Sequence, residues 1–367
     1  MTFFTLNTLR FALLLLLLPA LLFAKPPIAA KAPEATVKQT QAGLEILEQA
    51  NTIYLKGKYA QAILLYRKAD QRGADPVACA FNVANSYFQL EKYPEAAAAY
   101  RRAVILSNGE NASILFNLAA VLYRVGAYPE SIAAYHRALN LDPENTSAWL
   151  YLAEAYTRTG DKVGSQRALE NARRLDPTDV SLVYQLAELY VAMDEIDRAA
   201  ALVREGYALN PQETDFLIYL GDVYRGANRL DDANNAWREA LGLQPENVEL
   251  MYKLADALAE SGNNFLAMDY LTKALQIKPT FADAAIFLGN LAFEAKWWDR
   301  AENAYIQAGD AGNQEAVQGL RNLAYEFEQR KMLSQTISYL KKAQRFAPND
   351  VSLKNEIANY VEMSRQP

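Results

Sequence analysis

Small and apolar residues recur along this chain at helical spacing, and the pattern returns every 34 residues. Pro143, Pro177, Pro211, Pro245 and Pro279 fall one period apart, and Pro348 follows two periods and one residue later. Setting each proline at position 32 starts units at Gly43, Val77, Ala112, Thr146, Val180, Thr214, Val248, Ala282 and Val317, with single extra residues at Asn111 and Ala316. Position 8 is then Ala50, Ala84, Ala119, Ala153, Ala187, Gly221, Ala255, Gly289 and Ala324. Position 27 is likewise always Ala or Gly, and position 20 is Ala, Ser or Thr. Positions 4, 7, 8 and 11 form the buried stripe of one amphipathic helix, and positions 20, 24 and 27 the stripe of a second. Leucine dominates position 7, and Tyr66, Tyr100, Tyr135, Trp237 and Tyr305 fill position 24. Turn residues such as Thr159-Gly160-Asp161 and Ser261-Gly262-Asn263 separate the stripes. Each proline closes the second helix. The pattern therefore predicts an all-α chain of helix-turn-helix hairpins over 43–76, 77–110, 112–145, 146–179, 180–213, 214–247, 248–281, 282–315 and 317–350. A fixed period of this length marks a stacked, solenoid architecture.

Residues 351–367 supply a last helix and tail. Lys354, Ile357, Ala358 and Val361 continue the first-helix pattern. Ser352, Asn355, Glu356 and Asn359 are expected to cover its outer side as a solvating cap.

These columns resemble the tetratricopeptide repeat family, whose pattern places Trp, Leu, Gly, Tyr, Ala, Phe, Ala and Pro at positions 4, 7, 8, 11, 20, 24, 27 and 32. The unit at 146 carries Trp149, Leu152, Ala153, Tyr156, Ser165, Leu169, Ala172 and Pro177. The unit at 214 carries Leu217, Leu220, Gly221, Tyr224, Ala233, Trp237, Ala240 and Pro245. The first unit departs most, with Gln49 at position 7 and Ala74 at position 32. The resemblance implies a right-handed α-α superhelix of about nine hairpins and a non-catalytic protein-interaction scaffold.

The N-terminus follows a different pattern. Arg10 precedes an apolar run from Phe11 to Ala24. This run is short for a membrane span and suits the apolar region of a signal peptide. Residues 1–24 are read as a signal, or as an anchor if uncleaved, and residues 25–42 as an Ala/Pro/Lys-rich spacer. Cleavage is expected at Leu22-Phe23-Ala24 or Ile28-Ala29-Ala30. The whole resembles repeat proteins of the bacterial cell envelope, which implies export to the periplasm, or an inner-membrane anchor facing it.

Composition adds mainly exclusions. A net charge of −6 argues against a nucleic-acid surface. The one histidine, His136, is expected on the outer side of a second helix, and the one cysteine, Cys79, has no internal partner. No phosphate-cradling loop, nucleophile motif or metal-ligand spacing is present. No catalytic residue, metal or cofactor is expected. Asn111-Ala112-Ser113 and Asn145-Thr146-Ser147 match a glycosylation sequon by letter only.

The stripes leave positions 2, 5, 6, 9 and 13 of the first helices, which in the family line a concave groove. Position 9 carries Glu154, Glu188, Asp222 and Asp256 in successive units. Positions 5 and 6 carry Phe116, Tyr151, Tyr184, Tyr219 and Tyr252. An acidic column beside an aromatic one suits a basic or amphipathic segment with bulky apolar anchors. The alternative is that the acids are solvated, Glu154 pairs with Arg158, and the rings pack between repeats. Nearer the N-terminus, Asn51, Asn82, Asn85 and Asn117 offer amides for a peptide backbone. A carboxylate clamp of the family type is not expected, because Leu47, Ser113 and Asn117 stand where its basic residues would. The chain is thus read as an envelope scaffold binding protein or peptide segments. The alternatives are a membrane-anchored assembly factor for secretion, pilus or polysaccharide export, an enzyme improvised from Glu154, Glu188 and Tyr184, or a self-associating stack. Contact with membrane is expected only through an uncleaved N-terminus.

Overall fold

The computed structural model describes residues 40–365, and the signal region and most of the expected spacer lie outside them. Nineteen helices follow one another, and the described residues hold no strand. Nine hairpins account for eighteen: α1 Gln41–Leu55 with α2 Tyr59–Gln71, α3 Pro76–Gln89 with α4 Tyr93–Leu106, α5 Ala112–Arg124 with α6 Tyr128–Leu141, α7 Thr146–Thr159 with α8 Lys162–Leu175, α9 Val180–Ala192 with α10 Ile196–Leu209, α11 Asp215–Gly226 with α12 Leu230–Leu243, α13 Val248–Glu260 with α14 Asn264–Ile277, α15 Ala282–Glu294 with α16 Trp298–Asp310, and α17 Glu315–Gln329 with α18 Leu333–Phe346. Helix α19, Val351–Met363, ends the series. Helix α1 begins at Gln41, so the last two residues of the expected spacer are helical, with Thr40 as N-cap. The contacts divide the chain between Leu182 and Val183 into two compact units. Among the described residues, no helix is long and apolar enough to cross a membrane.

Local sequence explains where the helices start and turn. The side chains of Asp75, Asn111, Asn145, Asn247 and Asp350 accept hydrogen bonds from backbone N–H groups in the first turns of their helices. Asn111, one of the two extra residues in the period, therefore caps α5. Within every hairpin, position 15 is left-handed. Gly57, Gly126, Gly160 and Gly262 occupy it in four hairpins, and Glu91, Asp194, Asn228, Lys296 and Lys331 in the other five, at φ between 58° and 81°. The turn is the same whether or not glycine supplies it.

The small columns sit where helices pack closest. All nine position-8 residues are buried, the seven alanines at zero to 2% exposure. Within the second unit, a Cβ on Gly221 would overlap the indole of Trp237, which is itself fully buried and donates to the Ile218 carbonyl at 3.1 Å. Tyr305 lies between Gly289 and Gly319, either of whose Cβ atoms would sit 2.5 Å from its ring. Gly206 leaves room for Phe216 at position 3 of the next hairpin.

Two columns emerge as core that the stripe reading omits. Position 3 is buried from Cys79 through Ile114, Ala148, Leu182, Phe216, Leu250 and Ala284. Position 10 is buried at Ser86, Val121, Ala155, Val223, Ala257 and Leu291. A first helix packs against its own hairpin partner and also against the preceding hairpin, which explains the second buried side. The cap reading of Glu356 also needs correction. Glu356 accepts from the Tyr325 hydroxyl at 2.6 Å and pairs with Arg321 at 3.1 Å, so it faces the last hairpin instead of solvent.

Gly221→Leu should overfill the Trp237 contact and cost about 1–3 kcal/mol, measured by denaturant unfolding. Stability within 0.5 kcal/mol of wild type, on the order of a surface substitution, would show that this column does not pack as described.

Candidate functional site

The first helices leave one strip uncovered by core packing, and each unit presents its own. Along it, contacts between neighbouring first helices join residues 31 apart, because position 12 of one unit meets position 9 of the next, and position 9 meets position 6. Tyr123 donates to Glu154 at 2.8 Å, Lys253 to both oxygens of Asp222 at 2.5 and 2.7 Å, and Arg225 pairs with Asp256 at 2.7 Å.

In the first unit, Asn51, Asn82, Asn85, Asn117, Phe116, Tyr151 and Glu154 fall on this strip. Two of the position-9 asparagines are engaged internally. The Oδ1 atoms of Asn51 and Asn85 accept from the hydroxyls of Tyr66 and Tyr100, the position-24 residues of the same hairpins. In the second unit, Asn290 does the same for Tyr305 at 2.9 Å. Asn117 donates to its own helix, at the Ser113 carbonyl. Two polar groups here are buried without a hydrogen-bond partner: Nδ2 of Asn85, in a residue 8% exposed, and the hydroxyl of Tyr151. Phe116 and Tyr151 meet edge to face at 5.8 Å, and Tyr151 stacks on Tyr135. Glu154 is held by Tyr123 and by Arg158 at 3.1 Å.

In the second unit, Tyr184, Glu188, Tyr219, Asp222, Tyr252 and Asp256 share the strip. Tyr184 is only 8% exposed and contacts Phe216 at 5.1 Å and Tyr219 at 5.0 Å. Tyr252 contacts Phe287 at 5.8 Å. The aromatic column is therefore largely a set of repeat-to-repeat contacts. The acidic column is mostly neutralised: Lys253 covers Asp222, and Arg225 bridges Asp256 and Glu260. Burial raises the Asp256 carboxyl despite Arg225, with Glu260 adding to the effect.

Glu188 differs from its neighbours. It has no ion-pair or hydrogen-bond partner among the described residues, and desolvation alone raises its carboxyl. Thirty-one residues on, where Asp222 meets a lysine, Glu188 meets Tyr219, whose own hydroxyl is pushed up by burial and by the charges of Glu188 and Asp222. Lys253 and Arg225 are the residues that the column reading misses. Opposite charges 31 apart are the sequence signal that marks both.

Chemistry elsewhere is sparse. His136 is exposed but shares a 2.7 Å hydrogen bond with Tyr156 of the next hairpin. Cys79 is buried, and its thiol is pushed up to about 12 by burial and by Asp70 and Asp75. Among the described residues, no group of His, Cys, Asp and Glu could hold a metal ion.

The raised Glu188 carboxyl gives a pH test. It binds a proton more readily in the folded chain, so its contribution to stability is present at low pH and lost as pH rises through its folded value. Glu188→Gln should raise the melting temperature at neutral pH and leave it unchanged below the carboxylate range. No difference at either pH would show that Glu188 is fully hydrated.

Family models match the repeat region of the chain. A family model described as Tetratricopeptide repeat matches residues 81–140, 184–233 and 220–280, and one described as TPR repeat matches 124–160. A third, described as Anaphase-promoting complex, cyclosome, subunit 3, matches residues 33–103. No curated protein matches the chain. Among solved structures, MamA protein is 25% identical over 48% of this chain and 96% of its own, with a TM-score of 0.38. YrrB, described as a TPR protein with an unusual peptide-binding site, is 23% identical over 55% of this chain and 99% of its own, at 0.37. The pilF protein of Pseudomonas aeruginosa is 20% identical over 59% of this chain and 98% of its own, also at 0.37. With the repeat models falling on the hairpins described above, the chain belongs to the tetratricopeptide repeat family.

Proposed function

We propose that this protein is a non-catalytic scaffold of the cell envelope whose two units each hold an extended partner segment along their own strip of first helices. Repeats of this family generally mediate protein–protein interaction, and the strip holds the few groups that the repeat packing leaves uncommitted: Glu188, Asn85 Nδ2 and the Tyr151 hydroxyl. The N-terminal apolar run after Arg10 supports export. The observation that carries the partner chemistry is Glu188. It is the one acid of the column without a cation, and its charge acts on the Tyr219 hydroxyl. A basic side chain from a partner would supply the charge that Lys253 supplies to Asp222. In the first unit, a backbone carbonyl would satisfy the free Nδ2 of Asn85, and either backbone group the Tyr151 hydroxyl. The partner is thus a protein segment with a basic residue and apolar anchors.

Glu188 is also a cleaner probe than Asp222, whose reversal would leave Lys253 facing a second cation. Glu188→Lys should keep the helical signal and the melting temperature, yet lose proteins that the wild-type chain captures from an envelope extract. Asp269→Lys, an exposed second-helix change, should retain them. If both variants capture the same proteins as wild type, the strip is not the binding surface.

A further inference from the structure

The edge formed by the hairpin turns of the second unit carries a feature unrelated to the first-helix strip. Across the nine hairpins, positions 15 and 16 read Gly57-Lys58, Glu91-Lys92, Gly126-Ala127, Gly160-Asp161, Asp194-Glu195, Asn228-Arg229, Gly262-Asn263, Lys296-Trp297 and Lys331-Met332. Only the last two pair a lysine with a large apolar residue. Trp297 is 40% exposed and Met332 38%, and Phe265, at the turn before them, is 64% exposed. The three turns are continuous in space. Phe265 and Trp297 meet at 5.3 Å, Trp298 and Phe327 at 6.0 Å, and Arg330 of the last turn lies over Trp298 at 4.9 Å.

The lysines add a second, independent observation. Lys296 and Lys331 hold the left-handed position at φ 60° and 59°, a strained conformation for a long side chain that glycine fills in four of the nine hairpins. Two adjacent turns accept that strain and place a cation at the tip. Neither lysine has an ion-pair partner among the described residues. The nearby arginines are committed: Arg330 to Glu326 at 2.8 Å, and Arg300 to Thr272 and the Met268 carbonyl. Both lie over tryptophans, Arg300 over Trp297 at 5.4 Å. An open hollow of about 450 Å³ sits between the tips, lined by Lys296, Trp297, Trp298, Asp299, Arg300 and Phe327.

We infer that this turn edge docks on an anionic lipid surface, with Phe265, Trp297 and Met332 entering the headgroup layer and Lys296 and Lys331 pairing with lipid phosphates. Aromatic rings beside lysines are the side chains that settle at a membrane–water boundary. The tips touch through their rings, so they offer one extended contact to a broad anionic surface. Lys296 and Lys331 are two cations without an ion-pair partner at the tips of a chain of net charge −6, with Asp299 the one acid lining the hollow beside them, so attraction to an anionic surface rests on these two side chains. This is surface attachment, independent of the N-terminal run and of the strip that holds the partner segment.

The test uses the full chain and vesicles of phosphatidylcholine mixed with brominated phosphatidylglycerol, reading tryptophan quenching. Quenching should appear with these vesicles, fall with added salt, and be absent with brominated phosphatidylcholine alone. Lys296→Glu with Lys331→Glu should weaken it roughly thirtyfold or more, by the contribution of two surface lysines. Lys296→Gly with Lys331→Gly relaxes the turns, so it should melt no lower than wild type and still lose quenching. Because the N-terminal run could hold the chain on vesicles by itself, bound chain whose tryptophans are not quenched would overturn the inference. Equal quenching in wild type and both double variants would also overturn it. So would protection of the tryptophans by poly-glutamate with no quenching by vesicles, which would assign the edge to an acidic protein.

Discussion

The architecture depends on how closely the two helices of a hairpin can approach. Rings at position 24 need a neighbour with little or no side chain, and position 8 supplies it in every hairpin. Gly221 under Trp237 is the extreme case, and Tyr305 between two glycines the next. The same demand recurs between hairpins, where Gly206 admits Phe216. Each contact is local, so the chain gains stability one interface at a time and needs no single large core.

Close nesting decides what remains for binding. Because a first helix is buried on two sides, only a narrow strip of positions is free, and much of that strip is used between repeats. The acids at 222 and 256 meet Lys253 and Arg225, the position-9 asparagines brace tyrosines, and the aromatic residues face one another. Groups without an internal partner stand out against this background. Glu188, Asn85 Nδ2 and the Tyr151 hydroxyl are candidates for ligand contact because the packing that satisfies their counterparts does not reach them.

The hairpins are legible in the sequence because one residue type at a fixed period reports a contact that every copy makes. Ala153, Ala187 and Gly221 need no knowledge of orientation to be recognised as buried. Pairings are harder to read. The 34-residue columns place Glu154, Glu188, Asp222 and Asp256 in a row and suggest a continuous acidic stripe, but neighbouring first helices are staggered, so contacts form at 31. That offset is a property of the packing, and one column holds no trace of it. Position 3 escapes the stripe reading for a related reason: Cys79, Ile114, Ala148 and Phe216 share burial but not chemistry. Glu356 reads as a solvent-facing cap residue because its partners, Arg321 and Tyr325, lie on the preceding hairpin.

The fit between positions 8 and 24 is most directly measured by a double-mutant cycle on Gly221→Ala and Trp237→Leu. Ala with Leu is the natural pair at Ala153 and Leu169, Ala255 and Leu271, and Ala324 and Leu340. Gly221→Ala alone should destabilise the chain, since the added methyl meets the indole. In the Trp237→Leu background the same change should be neutral or stabilising, by up to about 1 kcal/mol from helix propensity, giving a coupling of about 1 kcal/mol or more. Additivity within about 0.5 kcal/mol would contradict the account, because the notch and the ring would then not be packed against each other.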